Sequence, residues 1–369
     1  MALEQLAGAR PTFGFLFASP RHALGDCLRA AREVAPGANL AGCTTAGEIT
    51  ERGLTHDGVA VMLVATDCEI FSTSADGLAK DPEGTARELC KSFAQHLAAA
   101  RTKRNFNTTT IALVDGLSGA GERFIESIVA STSPLHQVVG GAAGDEGQFK
   151  ATHVGNGDRV GSDVAAALHV FSPSPWGIGI GHGLEPTTDR MRVTRAKGNV
   201  VHEIDGRPAF AVYQDYAKQR GVRLEQKNAG EFMIANELGI IVGGKVTRAR
   251  APLSAAADGS ITCAAEVPQG AFVAILDGKP DAMVAAAEKA AAEAVANLQG
   301  RKCAGVLLFD CICRGIILKD QFKREIDAVR SVVGEVPVAG FLTYGEIASF
   351  SGRVESWHNT TAVALAIPE

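Results

Sequence analysis

Positive charge is not in surplus in this chain. Thirty-six Lys and Arg stand against 41 Asp and Glu, a formal net charge of -5 with a pI near 6.0. No basic run threaded by aromatics is present, so the chain lacks the means to neutralise phosphates, and neither nucleic acid nor an anionic membrane surface is expected as a partner. Long apolar runs are missing too. Residues 164–171 and 272–276 are the size of strands, far short of the roughly 20 residues that cross a bilayer, and no membrane insertion is expected. Residues 1–10 include Glu4 and hold no apolar core of signal-peptide length. The eight cysteines, at 27, 43, 68, 90, 263, 303, 311 and 313, follow no disulfide-framework spacing, which points to reduced thiols in the cytoplasm.

Motifs of catalysis are equally scarce. Gly-x-Ser-x-Gly, a Walker loop and His-Glu-x-x-His are absent, so the chain is not expected to be an enzyme. The paired carboxylates of a glycosidase leave no mark recognisable from sequence alone, and an unrecognised small-molecule enzyme is the weakest of the readings kept open. Cys303, Cys311 and Cys313 lie close in sequence without Cys-x-x-Cys knuckles or a nearby His, so no metal site is expected.

What the chain does have is an internal repeat. Gly42-Cys43-Thr44-Thr45-Ala46-Gly47-Glu48, Gly140-Gly141-Ala142-Ala143-Gly144-Asp145 and Gly340-Phe341-Leu342-Thr343-Tyr344-Gly345-Glu346 each end in a glycine followed by an acid. Each follows an apolar strand and an amphipathic helix, the sign of a repeated unit. In the first unit 13–17 reads as strand, Ser19 as an N-cap with Pro20 at the first helical position, and Leu24, Cys27, Leu28 and Ala31 as one helix face. The second unit has a strand at 109–114, a helix face of Phe124, Ile125, Ile128 and Val129, and a closing strand at 164–170. The last has a strand at 304–309, a face of Phe322, Ile326, Val329 and Val333, and a closing strand at 361–367. An Ala-rich helix opened by Pro280 and ended by Gly300 precedes it, and a helix after Asp81-Pro82 precedes the second unit.

Residues 173–250 break the pattern with a glycine run at 177, 179, 181 and 183, a strand at 192–194 and a helix opened by Pro208; 248–257 reads as a loop. These 369 residues have room for two or three domains. The expected fold is α/β, with duplicated strand-helix-strand units forming mixed sheets covered by helices, in two domains, 1–200 and 201–369.

The motifs Gly42-Cys-Thr-Thr-Ala-Gly-Glu-Ile49, Val139-Gly-Gly-Ala-Ala-Gly-Asp145, Val193-Thr-Arg-Ala-Lys-Gly-Asn199 with Glu203-Ile-Asp-Gly-Arg-Pro-Ala209, Phe309-Asp-Cys-Ile-Cys-Arg314 and Gly340-Phe-Leu-Thr-Tyr-Gly-Glu-Ile347 resemble the FIST proteins, over residues 11–365. The resemblance implies an amino-terminal and a carboxy-terminal FIST domain, 1–200 holding two repeat units. It also implies a sensory role in bacterial signal transduction: binding a small molecule and regulating a separate partner such as a histidine kinase or another signalling protein. Some stand-alone FIST proteins are haem-binding nitric-oxide sensors, which makes haem a narrower option.

Candidate ligand-binding residues follow from the repeats. Glycines such as Gly141 let a backbone approach a ligand closely, and Thr44, Thr45 and Thr343 offer hydroxyls that donate and accept. Glu48, Asp145 and Glu346 place a carboxylate at the same point of each unit. Arg314, just past a strand end, could clamp a carboxylate bidentately, with Cys311 three residues earlier as a soft ligand or a packed small hydrophobe. For haem, His182 in Gly179-Ile-Gly-His-Gly183 near Trp176 is the axial candidate, ahead of His169, His153 and His202; no Cys-x-x-Cys-His attachment sequence exists.

Overall fold

The computed structural model describes residues 2–103, 106–157, 159–350 and 356–369. It is mixed α/β: among the described residues, three mixed sheets of five, six and six strands enclose one core, and a fourth sheet of nine strands stands beside them.

Each unit is built alike. An opening strand (Phe13–Ala18, Asn107–Val114, Cys303–Cys311) is followed by a helix (Leu24–Val34, Gly121–Ser131, Phe322–Val333). A motif strand (Asn39–Thr44, Gln137–Ala142, Val338–Thr343) then returns parallel to the opening strand, and a closing strand (Val59–Val64, Val164–Ser172, Ala362–Pro368) pairs antiparallel on its other side. In the middle of each motif strand stands a glycine: Gly42, Gly140, Gly340. A Cβ on any of them would overlap the carbonyl oxygen of Leu16, Ala112 or Leu308 on the neighbouring opening strand, so only glycine permits that approach.

After its motif loop each unit sends a short strand out of its own sheet. Glu48–Thr50 of the first unit pairs with the third unit's motif strand. Glu346–Ser349 of the third pairs with the second unit's motif strand. Val154–Asn156 of the second pairs with the first unit's motif strand. The exchange closes a ring, so none of the three sheets is complete without a neighbour. The inner faces pool into one core, with Phe13, Phe15, Phe17, Ile111, Leu113, Leu307, Phe309 and Phe341 all buried, each large side chain contributing about 1.5–3 kcal/mol by leaving water. Phe17 and Phe341 stack with centroids 4.8 Å apart.

Two sheets gain a sixth strand: Glu69–Asp76 pairs with the second unit's closing strand and Gly177–Gly181 with the third's. The first of these strands leads within a few residues into helix Pro82–Thr102. Between the second and its helix, Pro280–Ala296, residues 182–279 intervene and form the nine-stranded sheet with helices Ala209–Gln219 and Ala229–Ala235. This inserted region has its own core around Tyr213, Met233, Leu238 and Ile275.

Some local expectations change. The first helix begins at Leu24 rather than at Pro20; the Ser19 hydroxyl, expected to cap it, instead donates to Glu146 at 2.6 Å. Residues 248–257, expected as a loop, lie largely in strands Lys245–Arg250 and Pro252–Ala255, because pairing within the inserted sheet outweighs their weak local pattern.

Candidate functional site

The motif loops meet at one end of the ring and brace one another through main-chain bonds. Ala46 N donates to Leu342 O and Leu342 N to Gly47 O; Tyr344 N donates to Ala142 O and Ala142 N to Gly345 O; Gly144 N donates to Thr44 O and Thr44 N to His153 O. This pattern fixes which residues are equivalent. Gly47 and Gly345 correspond to His153, and Glu48 and Glu346 therefore correspond to Val154. Asp145 occupies another place: it opens an eight-residue insertion (145–152) that the other two loops lack.

Glu48 and Glu346 share one hydrogen-bonding scheme. The Thr45 hydroxyl donates to Glu48 and the Gly58 amide donates to its other oxygen at 3.0 Å. The Thr343 hydroxyl donates to Glu346 and the Thr361 amide donates to its other oxygen at 3.1 Å. Asp145 instead gathers the amides of Phe149, Lys150 and Ala151 and the Tyr344 hydroxyl. Burial pushes its pKa up, but these four donors outweigh burial and hold it below the ordinary value. Thr44 accepts the His153 amide through its hydroxyl, and Gly141 is packed against Thr343, Phe341 and Phe309.

Arg314 is fully buried, and its donors are taken by the chain itself. It reaches Glu325 at 2.8 and 3.0 Å, Asp310 at 3.0 Å, and the carbonyls of His182 and Met283 at 2.8 Å. Burial, then Glu325, push the Asp310 carboxyl well above its usual range, with Arg314 acting against both. The guanidinium locks the third unit to the segment entering the inserted region; as a clamp for a ligand's carboxylate it has no donor left.

His182 is half-buried. Its Nδ1 accepts the Leu184 amide at 2.9 Å, and burial, then Arg314, lower its pKa. The glycine run beside it is covered. Cβ atoms on Gly177, Gly179, Gly181 and Gly183 would overlap the carbonyls of Ala294, Ala290, Ala286 and Ala282, every fourth residue of the Ala-rich helix. The glycine face of this run, beside the axial candidate His182, is where that helix packs.

The third unit differs from the first in what surrounds its acid. Burial holds Glu346 well above the usual carboxyl pKa, with Cys311 adding to the effect; burial likewise pushes the Cys311 thiol up, with Cys313 next in effect. Alongside lies Glu237, from the inserted region just before strand Leu238–Val242, taking the Thr360 hydroxyl. Burial pushes its pKa to about 8, against the Thr360 bond and Arg250. Apart from the Cys313 thiol, which faces the carboxyl, its Oε2 has no hydrogen-bond partner among the described residues, and neither polar side-chain atom of Asn359 has one. Both residues are almost wholly buried. Arg250 ties the inserted region to the second unit through Glu122 at 2.7 Å.

Thus Cys311, Thr343 and Glu346 come together at this junction, with Arg314 close by. Thr44, Thr45 and Glu48 form a separate copy in the first unit, and Asp145 a third environment. The sequence motifs do not point to Glu237, Asn359, Thr360 or Thr361. The polar run 358–361 just ahead of an apolar closing strand is the available signal; Glu237 offers none, because its partners lie more than a hundred residues away. Among the described residues no cluster of His, Cys, Asp and Glu is arranged to hold a metal, and no helix is long and apolar enough to cross a membrane.

A ring of three exchanged α/β units carrying an inserted second sheet defines a repeat-built scaffold whose polar junction lies between scaffold and insertion. The FIST N domain model matches residues 12–207 and the FIST C domain model residues 209–349, so the chain belongs to the FIST family, and the boundary between the two matches falls within the inserted region. FIST domains are associated with signal transduction and small-ligand sensing. A relative, "Uncharacterized protein MJ1623" of Methanocaldococcus jannaschii, is 24% identical over 178 residues, which cover 47% of this chain and 34% of the relative. The chain thus matches about a third of that protein's length.

Proposed function

We propose that this protein is a cytoplasmic sensory module that binds a small polar molecule carrying an amino group at the junction of the third unit and the inserted region. On this reading it regulates a separate signalling partner such as a histidine kinase. The observation that carries the reading is the buried Glu237 Oε2, which apart from the facing Cys313 thiol has no hydrogen-bond partner among the described residues, on a carboxyl bonded by Thr360, the residue next in sequence to the unpartnered Asn359. Buried polar atoms without partners are costly and uncommon, and a ligand that supplies donors relieves the cost. The open groups are the Asn359 amide and a Glu237 carboxyl that becomes an acceptor on giving up its proton, which favours an amine over the carboxylate that Arg314 first suggested.

Because the cluster is buried, the ligand enters when the inserted region shifts against the third unit, and binding then moves the population between the two arrangements. That shift changes the surface shown to the partner. The haem reading would need the glycine face beside His182 open to a flat ring, the Ala-rich helix covers that face, and no observation favours it. Calorimetric screening against amino acids, polyamines, organic acids, nucleotides and haem tests the proposal. Binding confined to amine-bearing compounds is expected; binding confined to simple organic acids, or a Soret band after haem reconstitution that disappears in His182→Ala, would overturn it.

A further inference from the structure

The first sheet lacks something that its two sisters have. The closing strands of the second and third units each carry a further antiparallel strand, Glu69–Asp76 and Gly177–Gly181, and helices Pro82–Thr102 and Pro280–Ala296 cover those strands. The first unit's closing strand, Val59–Val64, pairs on one side only among the described residues. Among the described residues, the one helix that stands ahead of this unit is Ala2–Gln5, which packs against that strand.

The open edge has a definite chemistry. Ser19 N donates to Gly58 O. With the register Ala18↔Val59 through Phe13↔Val64, residues 58, 60, 62 and 64 therefore bond inward. The N–H and C=O groups of Val59, Val61 and Leu63 then face outward. The strand reads Val59-Ala-Val-Met-Leu-Val64. It has no charge, proline or glycine, the residue types that keep edge strands from pairing. Val59 and Val61 are 41% and 38% exposed.

We infer that this edge pairs with the same edge of a second copy, the two strands running antiparallel. The sister sheets show the geometry of the occupant, an antiparallel strand on the closing strand. The strand's own make-up favours itself as that occupant. A two-fold axis through Val61 sets Val61 opposite the partner's Val61 and Val59 opposite the partner's Leu63. All the outward groups then meet in hydrogen-bonded pairs and apolar side chains meet apolar ones. Each copy supplies the other's missing sixth strand.

Sedimentation across a concentration series, with hydrogen exchange at the same concentrations, tests this inference. The wild type is expected to form dimers in which the Val59, Val61 and Leu63 amides are protected. Val61→Lys sets like charges face to face and is expected to weaken association at least about tenfold while leaving the circular dichroism unchanged. Val61→Thr keeps strand propensity and is expected to remain dimeric. A wild type that stays monomeric into the high micromolar range would overturn the inference. So would a dimer in which those three amides exchange freely, or one indifferent to Val61→Lys.

Discussion

The first and third motif loops make the same hydrogen bonds with the same residue types, yet only one of them stands beside buried groups without partners. Glu48 closes its shell with Thr45, Gly58 and, more loosely, Thr55. Glu346 has the equivalent Thr343 and Thr361, but its neighbourhood also holds Cys311, Asn359 and the inserted region's Glu237. The repeated loop is thus a structural device, a carboxylate that ties the exchanged strand back to its own unit while its backbone pairs with the next sheet. What distinguishes the third copy is the insertion of residues 182–279, which brings a foreign acid against it.

Removing the anchor found in one copy alone separates the two most strongly. Arg314→Ala leaves Glu325 and Asp310 buried without their cation and is expected to cost about 3–5 kcal/mol in denaturant unfolding. Arg21→Ala, at an exposed pair with Asp57 near the first copy, is expected to cost no more than about 1 kcal/mol. Similar losses from the two would show that the third copy is not specially locked.

Gly340→Ala and Gly42→Ala probe what the copies share. Each new methyl meets a carbonyl of the adjacent strand, and each is expected to lose about 1–3 kcal/mol or more through overpacking. An unchanged melting temperature for either would contradict the close approach of the two strands.

The acids and histidines give a pH signature. The folded pKa of Glu237, about 8, lies above its unfolded value, so the fold binds more protons there between pH 4.5 and 8. Stability from this group is present below the unfolded value and is lost as pH rises toward 8. Glu237→Gln is expected to remove that slope. His136 and His169 behave in the opposite way. They are joined through the Thr110 hydroxyl at 2.8 Å to each ring, and burial lowers them to about 4 and about 3. Their contribution is present above pH 6.5 and is lost as pH falls through those values, a loss that His169→Gln is expected to reduce in acid-unfolding curves.

Much of the scaffold is legible in the sequence, because strands, helix faces and motif glycines recur in the same order and their period is local. The ring of exchanged strands is not, since nothing in Glu48-Ile-Thr50 indicates that its partner is Phe341 rather than a strand of its own unit. Asp145 looks equivalent to the two glutamates because it too follows a glycine. The eight-residue insertion behind it moves the true equivalent to Val154, and only backbone pairing reveals the offset. Arg314 does perform the chemistry its position suggests, recognition of carboxylates, but its carboxylates are Glu325 and Asp310. The junction acids are legible in part: Glu346 through its motif, Glu237 not at all.

Calorimetry of an amine-bearing ligand against Glu237→Gln and Glu48→Gln decides between the two copies. The junction predicts that Glu237→Gln weakens binding at least about tenfold while Glu48→Gln leaves it within about twofold, and that wild-type binding releases protons below pH 8 as Glu237 ionises. Equal losses in the two variants, or a loss confined to Glu48→Gln, would place the ligand elsewhere and contradict a site built by the insertion.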